Sequence, residues 1–214
     1  MTEAEWLECT NALLMLDHLR RQHASQRKLR LFGCARCRYF WHLFDVDDRA
    51  AVEVSEKYAD GEAMATELRA ASAAVWSAEG VRSQTPTWRV AAGAASEADP
   101  TGEGCWDTAW DFYDGADPAE ADALDAAGEA EVPLVRDIFG NPFCPVAVDP
   151  AWLTAIVVAL AQGIYADRAF DRLPILADAL ENVGCHDEQI LAHCRGPGPH
   201  VRGCWVVDLL LANR

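Results

Sequence analysis

Basic residues are scarce. Eighteen Lys plus Arg stand against thirty-four Asp plus Glu, a formal net charge of −16 over 214 residues. A protein that binds nucleic acid by neutralising phosphates needs the opposite balance, so direct nucleic-acid binding is not expected. Long apolar runs are missing as well. The longest uncharged stretch, Pro150 to Ala166, is interrupted by Thr154, Gln162 and Gly163. It is shorter than the roughly 20 apolar residues of a membrane span. The start, Met1-Thr2-Glu3-Ala4-Glu5-Trp6, has neither the basic nor the apolar region of a secretory signal. The expected location is cytoplasmic, with no membrane partner. Sustained period-two alternation is absent too, and with it any reason to expect a sheet.

What is present is helix punctuation in a chain of ordinary globular composition, 51% apolar and 24% charged. Thr2 with Glu5 makes a capping box, and Thr10 or Asn11 can cap a second helix carrying Leu13, Leu14, Leu16 and Leu19. Ser25 can cap a third that runs to about Phe44. Asp47 or Asp48 can open a fourth that ends at Asp60-Gly61, and an Ala-rich fifth covers 62–78. Asp117-Pro118 places proline at a first helical position, and its pattern continues past Pro133 to Phe139, where Gly140-Asn141-Pro142 stops it. Asp149-Pro150 repeats the signal for a helix over 152–165. Further helices are expected over 173–183, 188–194 and, after Gly196-Pro197-Gly198-Pro199, over 201–211. The expected fold is all-α: a compact bundle of two packed helical subdomains, 1–89 and 134–214, with an acidic, loop-rich insertion at 90–133.

Charge is segregated. Seven basic and no acidic residues lie from Arg20 to Arg38, and twelve acidic and no basic residues from Val90 to Val135. The basic stretch could meet an acidic partner, or it could neutralise the chain's own carboxylates, and the internal role is expected. In the acidic stretch Trp106, Trp110 and Tyr113 stand at i, i+4 and i+7 among Asp107, Asp111 and Asp114. Such a stripe either docks on the protein's own core or engages a groove on another protein. With no credible catalytic set, the expected function is a non-enzymatic helical adaptor or regulator that binds a protein partner through 97–131. Sequestration of a basic protein by acidic nucleic-acid mimicry is a further alternative.

Eight cysteines in a chain without secretory features read as buried thiols or as metal ligands. Cys34-x-x-Cys37 is half of a tetrahedral zinc site, its thiols about 60° apart on a helix. His42 is badly angled for a third ligand, so zinc would need Cys185 or Cys204 from the C-terminal subdomain. His200, Cys204 and Asp208 recur every four residues, but in a catalytic triad the base must stand between nucleophile and carboxylate, and here the cysteine does. His186 and His193, about 10 Å apart along a helix, cannot share a metal directly. Arg195, His200 and Arg202 flank a loop at a helix start and could bind an anion. Pro197 and Pro199 remove two of the amides such a site would use, which favours a rigid turn.

Several phrases look familiar as a set: Met1-Thr2-Glu3-Ala4-Glu5-Trp6-Leu7, Arg30-Leu31-Phe32-Gly33-Cys34-Ala35-Arg36-Cys37 and Trp41-His42-Leu43 in the first half. Arg136-Asp137-Ile138-Phe139-Gly140-Asn141-Pro142-Phe143, Leu173-Pro174-Ile175-Leu176-Ala177-Asp178-Ala179-Leu180 and Gly196-Pro197-Gly198-Pro199-His200-Val201-Arg202-Gly203-Cys204-Trp205 follow in the second. The chain resembles a set of uncharacterised bacterial proteins found mainly in planctomycetes, over residues 1–60 and 134–214. The resemblance implies an intracellular bacterial protein and carries no activity. Relatives of this kind have Arg at the position of Cys144 and Leu at that of Cys194, which would exclude both thiols from any shared site.

Overall fold

The structure, a computed structural model, describes residues 1–77 and 118–213. Among the described residues it is all-α, without strands. The helices are α1 (Glu3–Glu8), α2 (Ala12–Arg21), α3 (Gln26–Cys37), α4 (Val46–Ala59), α5 (Ala65–Ser77), α6 (Pro118–Phe139), α7 (Ala155–Asp167), α8 (Leu173–Asn182), α9 (Glu188–Arg195) and α10 (Trp205–Leu211). None of them is long and apolar enough to cross a membrane.

Local chemistry accounts for most boundaries. Thr2 and Glu5 close the expected capping box, and Asn11 rather than Thr10 caps α2 through the amides of Leu13 and Leu14. Several starts differ from expectation, α5 opening at Ala65 and not at 62 among them. The cap of α4 is Asp45, which forms a reciprocal box with Asp48, so the neighbouring acid is the N3 partner and not the cap. Asp149-Pro150 opens only a single 3₁₀ turn, Pro150–Trp152, and Thr154 starts α7. The last helix begins at Trp205 and not at 201, because Gly203 sits at φ +95°. The third helix also ends early, at Cys37, and passes into the 3₁₀ turn Arg38–Phe40.

The chain forms two compact units: Met1–Gln22 with Val132–Arg214, and His23–Glu131. This division differs from the expected one at the N-terminus, since the first 22 residues belong with the C-terminal half. In the second unit α3 packs on α4, and α4 on α5. Every residue of α3 from Leu29 to Cys37 is buried, Arg30 and Arg36 included. The basic stretch is matched within its own unit. Arg27 pairs with Asp60 at 2.8 Å, Arg36 with Glu131 at 2.8 Å and Arg38 with Glu56 at 2.7 Å. Burial pushes the Glu131 carboxyl above its ordinary range, and the Arg36 charge pulls the other way.

In the first unit α7 packs on α8 and α10, and α8 on α9. Val157, Ala161, Ile164, Leu173, Leu176, Leu180, Ile190, Val206 and Val207 fill the core between them, together with Cys185, Cys194 and Cys204. Gly140, at φ +65°, ends α6, and a Cβ there would stand 3.1 Å from the Trp205 ring. Gly140→Ala is therefore expected to destabilise the protein by about 1–2 kcal/mol through the left-handed backbone alone, with the ring contact adding to it. A lowered thermal midpoint checks this; an unchanged one would mean that the Trp205 contact and the turn both yield freely.

Candidate metal centre

Four heteroatoms converge in the first unit. Asp137 stands in the last turn of α6, His193 in the last turn of α9, His200 in the 196–204 connection and Cys204 immediately before α10. The carboxylate oxygen, two imidazole nitrogens and the sulfur all lie within 4.8 Å of one another. The Asp137 side chain is 2% exposed, those of His193 and His200 16% and 12%, and Cys204 is completely buried.

The contacts are specific to single atoms. Asp137 Oδ1 is 2.7 Å from His200 Nδ1 and 3.1 Å from His193 Nε2. That same His193 Nε2 is 3.2 Å from Cys204 Sγ. The outer atoms have partners of their own. The amide of Val201 donates to Asp137 Oδ2 at 2.9 Å, and His200 Nε2 lies 3.3 Å from the carbonyl oxygen of Gly196. Gly198 helps to set this loop: at φ +82°, a Cβ on it would come within 3.0 Å of the His200 amide nitrogen.

A proton on His200 Nδ1 satisfies the 2.7 Å contact, the ring donating to the Asp137 carboxylate. Burial works against an imidazolium, but the hydrogen bond and charge of Asp137 outweigh it and raise the His200 pKa. The reciprocal holds for Asp137. Burial pushes its pKa up, yet hydrogen bonds from His193 and His200 leave it below the ordinary carboxylate value. Burial, with the Asp137 charge nearby, drives the Cys204 thiol well above its usual value, only partly opposed by the amides of Val207 and Val206. Neighbouring Cys194 is pushed up to about 12, first by burial and then by Asp137.

This is not a nucleophile–base–carboxylate relay. In such a relay the base uses one ring nitrogen for the thiol and the other for the carboxylate. Here one atom, His193 Nε2, faces both. A metal ion at this point would take lone pairs from all four groups. One carboxylate and one thiolate would also neutralise a divalent ion, the condition for burying charge at this depth.

No family model matches the chain. No curated protein or solved structure matches it either.

Of the cysteines expected to bind zinc, Cys204 is the one found in a ligand group among the described residues. Cys34 and Cys37 lie on the buried face of α3 in the second unit, and Cys185 in the core of the first. Arg195, His200 and Arg202 have separate occupations: Arg195 is held by Asp178 and Glu181, His200 by Asp137, and the Arg202 guanidinium lies 4.7 Å from the Tyr165 ring centre. Trp106, Trp110, Tyr113, Asp107 and Asp111 lie outside the described residues. Asp208 is buried and accepts from the Asn213 side chain; the four-residue spacing from His200 to Asp208 does not follow one helix, because α10 starts at Trp205.

Asp137 and His193 are the members that spacing did not reveal. Along the chain before it, His193 has only His186 as a nearby histidine partner. Its partners lie beyond a Gly-Pro loop that turns the chain back, which leaves the pattern His193-x6-His200-x3-Cys204 as the available signal.

Proposed function

We propose that the protein binds one divalent transition-metal ion, zinc by ligand chemistry, through Asp137, His193, His200 and Cys204. The observation that carries this reading is the convergence of one carboxylate, two imidazoles and one thiol, whose ligand atoms all lie within 4.8 Å of one another. A thiolate with two imidazoles selects borderline metals such as zinc, whereas calcium and magnesium prefer all-oxygen shells. Tetrahedral coordination at metal–ligand distances of 2.0–2.3 Å needs ligand atoms about 3.3–3.8 Å apart. The shorter contacts seen between them open to that with movements of about half an ångström.

Four protein ligands in a largely buried setting favour a closed, structural centre over a catalytic one with an open position. The metal's work would be to fix the end of α6 to the α9–α10 connection. The Val201 amide on Asp137 and the Gly196 carbonyl on His200 would act as orienting partners, the arrangement that holds metal ligands in register elsewhere.

Elemental analysis with native mass spectrometry tests this on protein purified without chelator or affinity metal. One zinc per chain, lost together with stability on treatment with a strong chelator, is the expected result. Metal-free protein that takes up no zinc on titration and melts at the same temperature with or without it would overturn the reading.

A further inference from the structure

The residues beside the metal ligands are the ones that hold the N-terminus. Arg136, next to Asp137, sends Nη2 to the carbonyl oxygens of Trp6 (3.3 Å), Leu7 (2.8 Å) and Cys9 (3.0 Å). These include carbonyls of the last turn of α1, of which Trp6 also accepts from the Cys9 amide at 3.3 Å, and the guanidinium charge sits at the negative end of the helix. A second connection runs through Trp205, adjacent to Cys204. Its ring lies 5.2 Å from that of His193 and closes over Gly140. The turn that follows Gly140 carries Asn141, which donates to Glu3 at 2.7 Å, and Phe143, which stacks on His18 and meets Trp6 edge-on.

On its own α1 has six residues, far below the roughly 12–15 at which an isolated helix becomes even marginal in water. Its order therefore depends on docking: the buried Trp6, the Arg136 clamp and the Asn141–Phe143 turn. Arg136 and the Asn141–Phe143 turn belong to the segment 136–143, and Trp6 meets Phe143 of that segment as well as His18 of α2; Asp137 would fix one end of the segment to the metal.

We infer that metal occupancy controls the docking of α1, so that the 136–143 segment works as a clasp that holds the N-terminal helix when the centre is filled and lets it go when the metal leaves. This rests on the metal reading above. Because coupling between two equilibria is reciprocal, releasing α1 must weaken metal binding by the same factor by which metal loss weakens docking.

Hydrogen exchange followed by mass spectrometry on the full chain, with zinc and after chelation, tests the clasp beside metal content. Amides of residues 3–9 are expected to exchange about fivefold faster or more without metal, the lower range of coupling between sites. Those of α7 and α8 should stay protected. Arg136→Gln should show fast exchange at 3–9 even with zinc bound, and a zinc affinity reduced by the same factor. Stoichiometric zinc with unchanged exchange at 3–9 overturns the clasp and leaves the metal centre standing. Loss of protection in α7 and α8 together with α1 overturns it too, since that is general unfolding. The wild-type comparison decides the matter even where the variant does not fold. A chain that binds no metal overturns the metal reading itself.

Discussion

Asp137→Ala is expected to abolish metal binding and to lower the thermal midpoint by roughly 6–20 °C. The range follows from the 3–5 kcal/mol cost of removing one partner from a buried charge pair, at about 2–4 °C per kcal/mol for a chain of this size. Three losses coincide at this position. The carboxylate accepts from the Val201 amide, faces both imidazoles and supplies one of the two negative charges the divalent ion needs. Its removal leaves a buried amide without an acceptor and two histidines without a counter-charge. Asp137→Asn separates these roles. It keeps a side-chain oxygen for Val201 but withdraws the charge, so zinc affinity should fall by more than the 10–100-fold typical of a residue that only orients a ligand. The loss of stability should be smaller than for alanine. Zinc titration and thermal melts of the two variants check this. Wild-type affinity in Asp137→Asn would show that the carboxylate is held for packing alone.

The helices were legible because their signals are local. The capping box of Thr2 and Glu5, the Asp60-Gly61 stop and the proline after Asp117 each act within one turn, so a few adjacent residues determine the boundary. The start of α4 was less legible: Asp47 and Asp48 carry the expected cap chemistry, but the cap is Asp45, and composition alone does not distinguish three acids within four residues. The centre was less legible for a related reason. Spacing along a helix measures separation only while the helix continues. Between His193 and Cys204 the chain leaves α9 after Arg195, turns through Gly198 and Gly203, and restarts at Trp205. Residues that one continuous helix would hold about 16 Å apart meet within hydrogen-bonding distance. Asp137 comes from a helix more than fifty residues earlier, and nothing near it in sequence marks it as more than one acid among thirty-four. The C-x-x-C pair drew attention because both of its thiols are local. The ligands that the fold assembles are distant.

The two cysteine sets can be set against each other directly. Cys204→Ala is expected to weaken zinc binding sharply, because the remaining carboxylate and two imidazoles carry a single negative charge and leave the fourth position to water. Cys34→Ala with Cys37→Ala should keep one zinc per chain. The pair lies on α3, where both thiols are buried. Its replacement should cost about 1 kcal/mol for each thiol, the ordinary price of trimming a core side chain. Metal content and melting temperature then move independently. The first variant loses both metal and stability, while the second loses a little stability and no metal. The reverse pattern, zinc lost with Cys34 and Cys37 and kept without Cys204, would assign the metal to α3 and leave Asp137, His193, His200 and Cys204 as a proton-linked polar cluster. The charges favour the first outcome. Burial, and after it the Asp137 charge, holds the Cys204 thiol well above its usual range, and a divalent ion is what would turn that thiol into a ligand.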